Sequence, residues 1–150
     1  MLHIALFEPE IPPNTGNIAR LCAATGTRLH LIGRLGFRLD DKSLQRAGLD
    51  YWDAVDLVRH VTFEEFESTF TGRLWLVETP AERLYTQVEY QDGDCLLFGS
   101  ESKGLPLGLR ERYSERVIGI PMPTGRVRSL NLATSSGITL YEAMRQIRGW

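Results

Sequence analysis

The chain has 150 residues, enough for one domain with a full core, and its 43% hydrophobic and 24% charged residues are ordinary globular values. A formal net charge of −2 excludes a protein that coats nucleic acid by bulk electrostatics, and no apolar run reaches the length of a membrane span. The first residues, MLHIALFEPE, are acidic where a secretory signal is basic, so a single domain over 1–150 working in the cytoplasm is expected.

Leu2 to Phe7 reads as a buried strand bounded by Pro9. IPPNTGNIARLCAATG, Ile11 to Gly26, then turns into a helix from Thr15, with Ile18, Leu21 and Cys22 on one face and Gly26 to end it. Such strand-to-helix turns lie at the carboxyl ends of strands in an open α/β sheet, where ligands bind and the first helical N–H groups lack partners. A plain turn accounts for Pro13 as the bend and Asn14 as the cap. It does not account for Asn17 and Arg20, whose spacing of three puts both on one helical face.

Further along, Arg28 to Gly33 reads as a strand and DDKSLQRAG as a polar helix ending at Gly48. A short strand near AVDLV follows, and Thr62 with Glu65 makes a capping box that opens TFEEFESTF. Buried strands are expected at Arg73 to Thr79, Asp94 to Gly99 and Arg116 to Met122, and a closing helix from about Leu130 to Arg148, capped by Ser129 or Asn131. This alternation predicts an α/β fold, a mostly parallel sheet flanked by helices.

Cys22 and Cys95 have no metal-site spacing and read as free, buried thiols. His3, His30 and His60 are scattered and read as separate core or edge positions, with no metal expected. Basic residues gather at Arg126, Arg128, Arg145 and Arg148, and again at Arg34, Arg38, Lys42 and Arg46, the second group reading as a solvated face.

Three strand exits carry unusual loops: Val77 to Thr79 before Pro80, FGSESKGLP from Phe98 to Pro106, and IPMPTGRVRSLNLATSSG from Ile120 to Gly137. Neither GxxxxGK[ST] nor GxGxxG is present, which argues against nucleotide triphosphates, and no GxSxG elbow or nearby histidine supports a hydrolase. Glu101 by itself reads as a surface carboxylate.

Taken together, PPNTGNIARLCAATG, LLFGSESKGLP and IPMPTGRVRSLNLATSSGITLYEA resemble the three motifs of the SPOUT class of RNA methyltransferases, in the same order. The likeness covers essentially the whole chain, including EPEIPPNTGN and DDK…RAGLDY. It is nearest to the subfamily that methylates the ribose 2′-hydroxyl of the tRNA wobble nucleotide, a cytidine or modified uridine. The absence of an added RNA-binding domain in these residues fits that minimal subfamily.

The resemblance implies a parallel sheet with a C-terminal trefoil knot, which general topology rules disfavour and no periodicity indicates. It implies S-adenosylmethionine as cofactor, held largely by main-chain groups around Val77, Thr79, Gly99, Ile120, Met122, Ser129 and Leu130. Arg20 is the implied catalytic residue, with Asn17, Glu101, Ser129 and Asn131 around it and Glu101 orienting it. An arginine stays cationic, so charge stabilisation suits it better than proton abstraction. RNA contact falls to Arg20, Arg126 and Arg128, with the choice between the last two open. The family works as a homodimer on tRNA, without metal or membrane, each Arg20 serving a site completed by the partner. Two alternatives remain: methylation of another tRNA or rRNA nucleotide, and a non-catalytic RNA-binding dimer on the same fold.

Overall fold

In the computed structural model, which describes the backbone of residues 1–150 and the side chains of residues 1–47 and 52–150, the apolar runs become the strands of one sheet. In chain order the elements are β1 (His3–Phe7), α1 (Pro12–Thr25), β2 (Arg28–Ile32), α2 (Lys42–Gly48), a 3-10 turn (Leu49–Ala54), β3 (Leu57–His60) and α3 (Phe63–Thr69). There follow β4 (Leu74–Val77), β5 (Arg83–Leu84), β6 (Cys95–Phe98), α4 (Leu107–Arg112), β7 (Val117–Gly119) and α5 (Leu132–Arg148). The seven strands lie in the order β3-β2-β1-β6-β4-β7-β5 and every strand pair is parallel.

A strand covered on both faces needs apolar residues at both parities, which is why these strands read as unbroken runs. Ile4, Leu6, Leu96 and Phe98 pack under Ile18 and Cys22 of α1 and Leu140 and Met144 of α5. Their neighbours Ala5, Cys95 and Leu97 face the other way, toward Phe63 and Phe66 of α3. Ile4, Leu6 and Leu97 are fully enclosed, and truncating one such side chain to alanine costs about 2–5 kcal/mol. Both cysteines are free and buried, and burial pushes the Cys22 thiol up to about 12.

Several boundaries depart from the sequence reading. The first helix begins at Pro12, not Thr15, and its N-cap is Ile11, which makes no side-chain cap bond; Asn14 lies inside the first turn. Two consecutive prolines at the first helical positions lack N–H groups, so they remove donors that would otherwise be orphaned. The third strand is displaced to Leu57–His60, and β5 and α4 were not foreseen. Gly26 ends α1 at φ 67, and Thr62 caps α3 by accepting from the Glu65 N–H, both as expected. Asn131, not Ser129, caps α5, accepting from the N–H groups of Ala133 and Thr134.

The histidines are not scattered in space. On adjacent strands β1, β2 and β3, His3 Nδ1 stands 2.9 Å from His30 Nε2, and His30 Nδ1 stands 3.0 Å from His60 Nε2. Phe66 and Phe70 pack edge-on against this imidazole chain. Among the described residues no helix is long and apolar enough to cross a membrane.

The order places β6 between β1 and β4, so loops leaving β1, β6, β4 and β7 emerge side by side at the carboxyl edge. A reversal of strand order of this kind opens a crevice between neighbouring loops.

Candidate active site

The crevice is a cleft of about 500 Å³ at those four exits. Its floor is set by glycine. A Cβ on Gly99 would lie 2.0 Å from the Gly104 carbonyl carbon, so only glycine lets the two ends of this loop pack together. The Gly104 N–H donates to Ser100 O at 2.9 Å and closes the loop, with Gly104 itself at φ 68, where side chains are strained.

A reciprocal clasp joins the β1 and β6 exits. The Glu101 carboxylate accepts from the N–H groups of Glu10 and Ile11, both at 2.8 Å, and from Asn14 Nδ2 at 3.1 Å. In return the Glu10 carboxylate accepts from the Ser102 N–H at 2.8 Å and its hydroxyl at 2.6 Å, bonds that hold its pKa below the usual carboxylate range. Glu101 thus supplies from a distant loop the anionic cap that α1 lacks locally. Asn14 extends the clasp to the β7 exit, since its Oδ1 accepts from Asn131 Nδ2 at 2.9 Å.

Every residue matched to cofactor binding by motif lines the cleft: Val77, Thr79, Gly99, Ile120, Met122, Ser129 and Leu130. Glu101, Asn131 and Arg128 line it too, whereas Arg126 does not. Asn17 and Arg20 share the exposed face of α1, as their spacing required, but neither lines the cleft of its own chain. Asn17 turns back along its helix, Nδ2 donating to Pro13 O at 2.9 Å.

Two further placements follow. The asparagine in the cleft is Asn14, because it occupies the buried side of the first turn, whereas Asn17 lies three positions on and faces outward. The Glu101 oxygens accept from Glu10, Ile11 and Asn14, so Glu101 braces the turn that begins α1. Asn14 was missed because capping explained it, and the missing signal was its pairing with Glu101 and Asn131. Glu78, one residue past β4, also lines the cleft; burial raises its pKa, opposed by the Leu105 N–H and by Arg110. Among the described residues no group of three or more His, Cys, Asp or Glu side chains is arranged to hold a metal ion.

A parallel α/β sheet with a cleft of loops at its carboxyl edge defines the class, a ligand-binding α/β domain of the doubly covered kind. Residues 1–141 match the SpoU rRNA Methylase family, and the chain belongs to it. It is 48% identical to the tRNA (cytidine(34)-2′-O)-methyltransferase of Escherichia coli strain K12, over 98% of this chain and 94% of that one. A solved structure concerned with the 2′-OH methylation of C/U34 on tRNA superposes with a TM-score of 0.95 at 47% identity, covering 100% of this chain and 98% of the other. An AdoMet-bound rRNA methyltransferase from Sinorhizobium meliloti gives 0.86 at 29% identity, covering 96% of this chain and 56% of that one.

Proposed function

We propose that this protein transfers a methyl group from S-adenosylmethionine to the ribose 2′-hydroxyl of nucleotide 34, the wobble position, of tRNA. The observation that carries this reading is the convergence of the three motif loops on one cleft in a chain similar over its whole length to an enzyme named for that reaction. The residues fit the cofactor. Val77, Phe98, Ile120 and Met122 give an apolar slot suited to adenine, and Lys103 and Ser129 give polar groups for an amino-acid tail. When bound, S-adenosylmethionine supplies an electrophilic methyl group on a cationic sulfur.

The chain's own residues then hold and polarise. Glu101, Asn14 and Asn131 fix the three loops relative to one another, so the cleft is shaped before the ligands arrive. Ser129 and Leu130 line the cleft after the β7 exit, within the segment assigned to the cofactor and the target ribose. Arg20 stabilises the negative charge that develops on the 2′-oxygen and positions a neighbouring phosphate. Because Arg20 lies outside its own cleft, a homodimer in which each Arg20 serves the other subunit's cleft fits best. Tyr141, Ile147 and Trp150, exposed apolar residues on and just after α5, offer the surface for that pairing. The same family reading assigns a trefoil knot to the segment between β6 and α5. It also makes 1–150 one methyltransferase domain working in the cytoplasm, where tRNA is met.

The test is methylation of an anticodon stem-loop carrying either a 2′-hydroxyl or a 2′-deoxy nucleotide at position 34, with labelled S-adenosylmethionine. Label is expected in the first alone. Label in the deoxy substrate overturns the reaction class; no label in either favours the non-catalytic reading; label elsewhere in whole tRNA favours another target nucleotide.

A further inference from the structure

Glu78 stands where the exits of β4, β6 and β7 meet. Its N–H donates to Ile118 O at 3.0 Å, and a Cβ on Gly104 would come within 2.9 Å of its Oε1. Oε1 accepts from the Leu105 N–H, while Arg110, close enough to favour the ionised form, donates to Pro80 O. Among the described residues no donor is bonded to Oε2, and Glu78 is one of the residues lining the cleft.

A half-buried carboxylate is an expensive way to fix one backbone N–H. A neutral amide or hydroxyl would do the same with less desolvation, so the charge needs another reason. The ligand supplies one if it brings donors. Val77, the preceding residue, and Ile120 belong to the apolar wall suited to adenine, which leaves a group one position along placed for the sugar joined to that base. A ribose diol offers two adjacent hydroxyl donors, and an acidic side chain at a strand end accepts from such a diol in dinucleotide folds. We infer that Glu78 accepts hydrogen bonds from the ribose hydroxyls of the bound cofactor and is the residue by which the cleft reads an adenosyl ribose. This rests on the cleft holding S-adenosylmethionine.

Calorimetry on the full chain tests it, with S-adenosylhomocysteine, its 2′-deoxy and 3′-deoxy adenosyl analogues, and its des-amino analogue. Wild-type protein is expected to bind at least one deoxy analogue more weakly than the parent by roughly tenfold or more, the loss that goes with a hydrogen bond to a charged group. Glu78→Gln keeps an acceptor for the Leu105 N–H, and a thermal melt close to wild type shows that the fold is intact. It is expected to bind the parent as weakly as wild type binds the deoxy analogue and to lose that discrimination. Retained discrimination in Glu78→Gln overturns the inference, as does lost discrimination confined to the des-amino analogue, which would give the carboxylate to the ammonium group. Failure of folded wild-type protein to bind the parent overturns the cofactor reading itself, a different result from binding with unchanged ribose selectivity.

Discussion

Asn131 Nδ2 donates to Asn14 Oδ1 at 2.9 Å, joining residues 117 positions apart in the chain. Asn14 is 7% exposed and passes the link on, its own Nδ2 donating to Glu101 Oε2 at 3.1 Å. One amide therefore ties the exits of β1, β6 and β7 together. Both of its ends are used, and removing it would leave a carboxylate and a second amide short of a partner.

Replacing Asn14 should damage cofactor binding although its side chain is mainly a brace. Asn14→Ala is expected to cost about 1–3 kcal/mol of stability from the broken pairing. Asn14→Asp should be worse, since it sets a second carboxylate against Glu101. Urea unfolding and calorimetry with S-adenosylhomocysteine would check both; full affinity in a destabilised Asn14→Ala protein would limit the brace to stability alone.

How much of this was legible depends on the reach of the interaction. LHIALF and CLLFG announce buried strands because burial on both faces requires apolar residues at consecutive positions. PLGLRER does not announce α4, since it is short, polar and interrupted by Gly108, and Leu109 joins the core only through tertiary packing. Spacing identified the exposed pair Asn17 and Arg20. It could not choose Asn14 as the cleft residue, because its partners lie 87 and 117 positions away. The imidazole chain was hidden for the same reason, as only the register of β1, β2 and β3 brings residues 3, 30 and 60 together. Residues such as Val77 and Ile120 carry no chemical mark of a site, and motif resemblance alone indicated them.

Arg20→Ala should lower single-turnover methylation by roughly a hundredfold or more, the scale of one lost electrostatic contact in a transition state, while leaving S-adenosylhomocysteine affinity nearly unchanged. The separation follows from its place on α1, away from the cleft of its own chain. Arg20→Lys should fail almost as badly, because lysine keeps the charge and loses the planar fork. If subunits do complete each other, mixing Arg20→Ala with an inactive cleft variant should restore part of the activity in the heterodimer. A normal turnover rate in Arg20→Ala would remove it from catalysis.

Arg128 lines the cleft and Arg126 does not, although both are exposed. If Arg128 neutralises a phosphate next to the target nucleotide, Arg128→Ala should weaken tRNA binding and reduce the slope of log affinity against log salt by about one. Arg126→Ala should change both less. Binding titrations across a salt series separate the two, and equal slopes for the two variants would count against assigning the contact to Arg128.

The imidazole chain gives the protein an acid-sensitive stability. His30 is 6% exposed, and burial first, then repulsion from His3, His60 and Arg28, lowers its pKa to about 3, against the partial opposition of Asp56. His3 and His60 are also lowered, chiefly by burial, with Asp56 and Asp92 opposing at His3 and Glu65 at His60. A histidine in the unfolded chain titrates near pH 6.5, so as pH falls below that value the unfolded state takes up protons that folded His30 refuses. Stability contributed by the neutral ring is thus complete at higher pH and is lost progressively on acidification. From pH 7 to pH 5, His30 alone should account for about 2 kcal/mol of lost stability. His30→Gln retains a donor and an acceptor for the neighbouring rings but cannot titrate. Urea unfolding at the two pH values should therefore show a smaller acid loss in the variant, by about that amount; equal losses in variant and wild type would mean that His30 takes up protons in the folded state as readily as in the unfolded one.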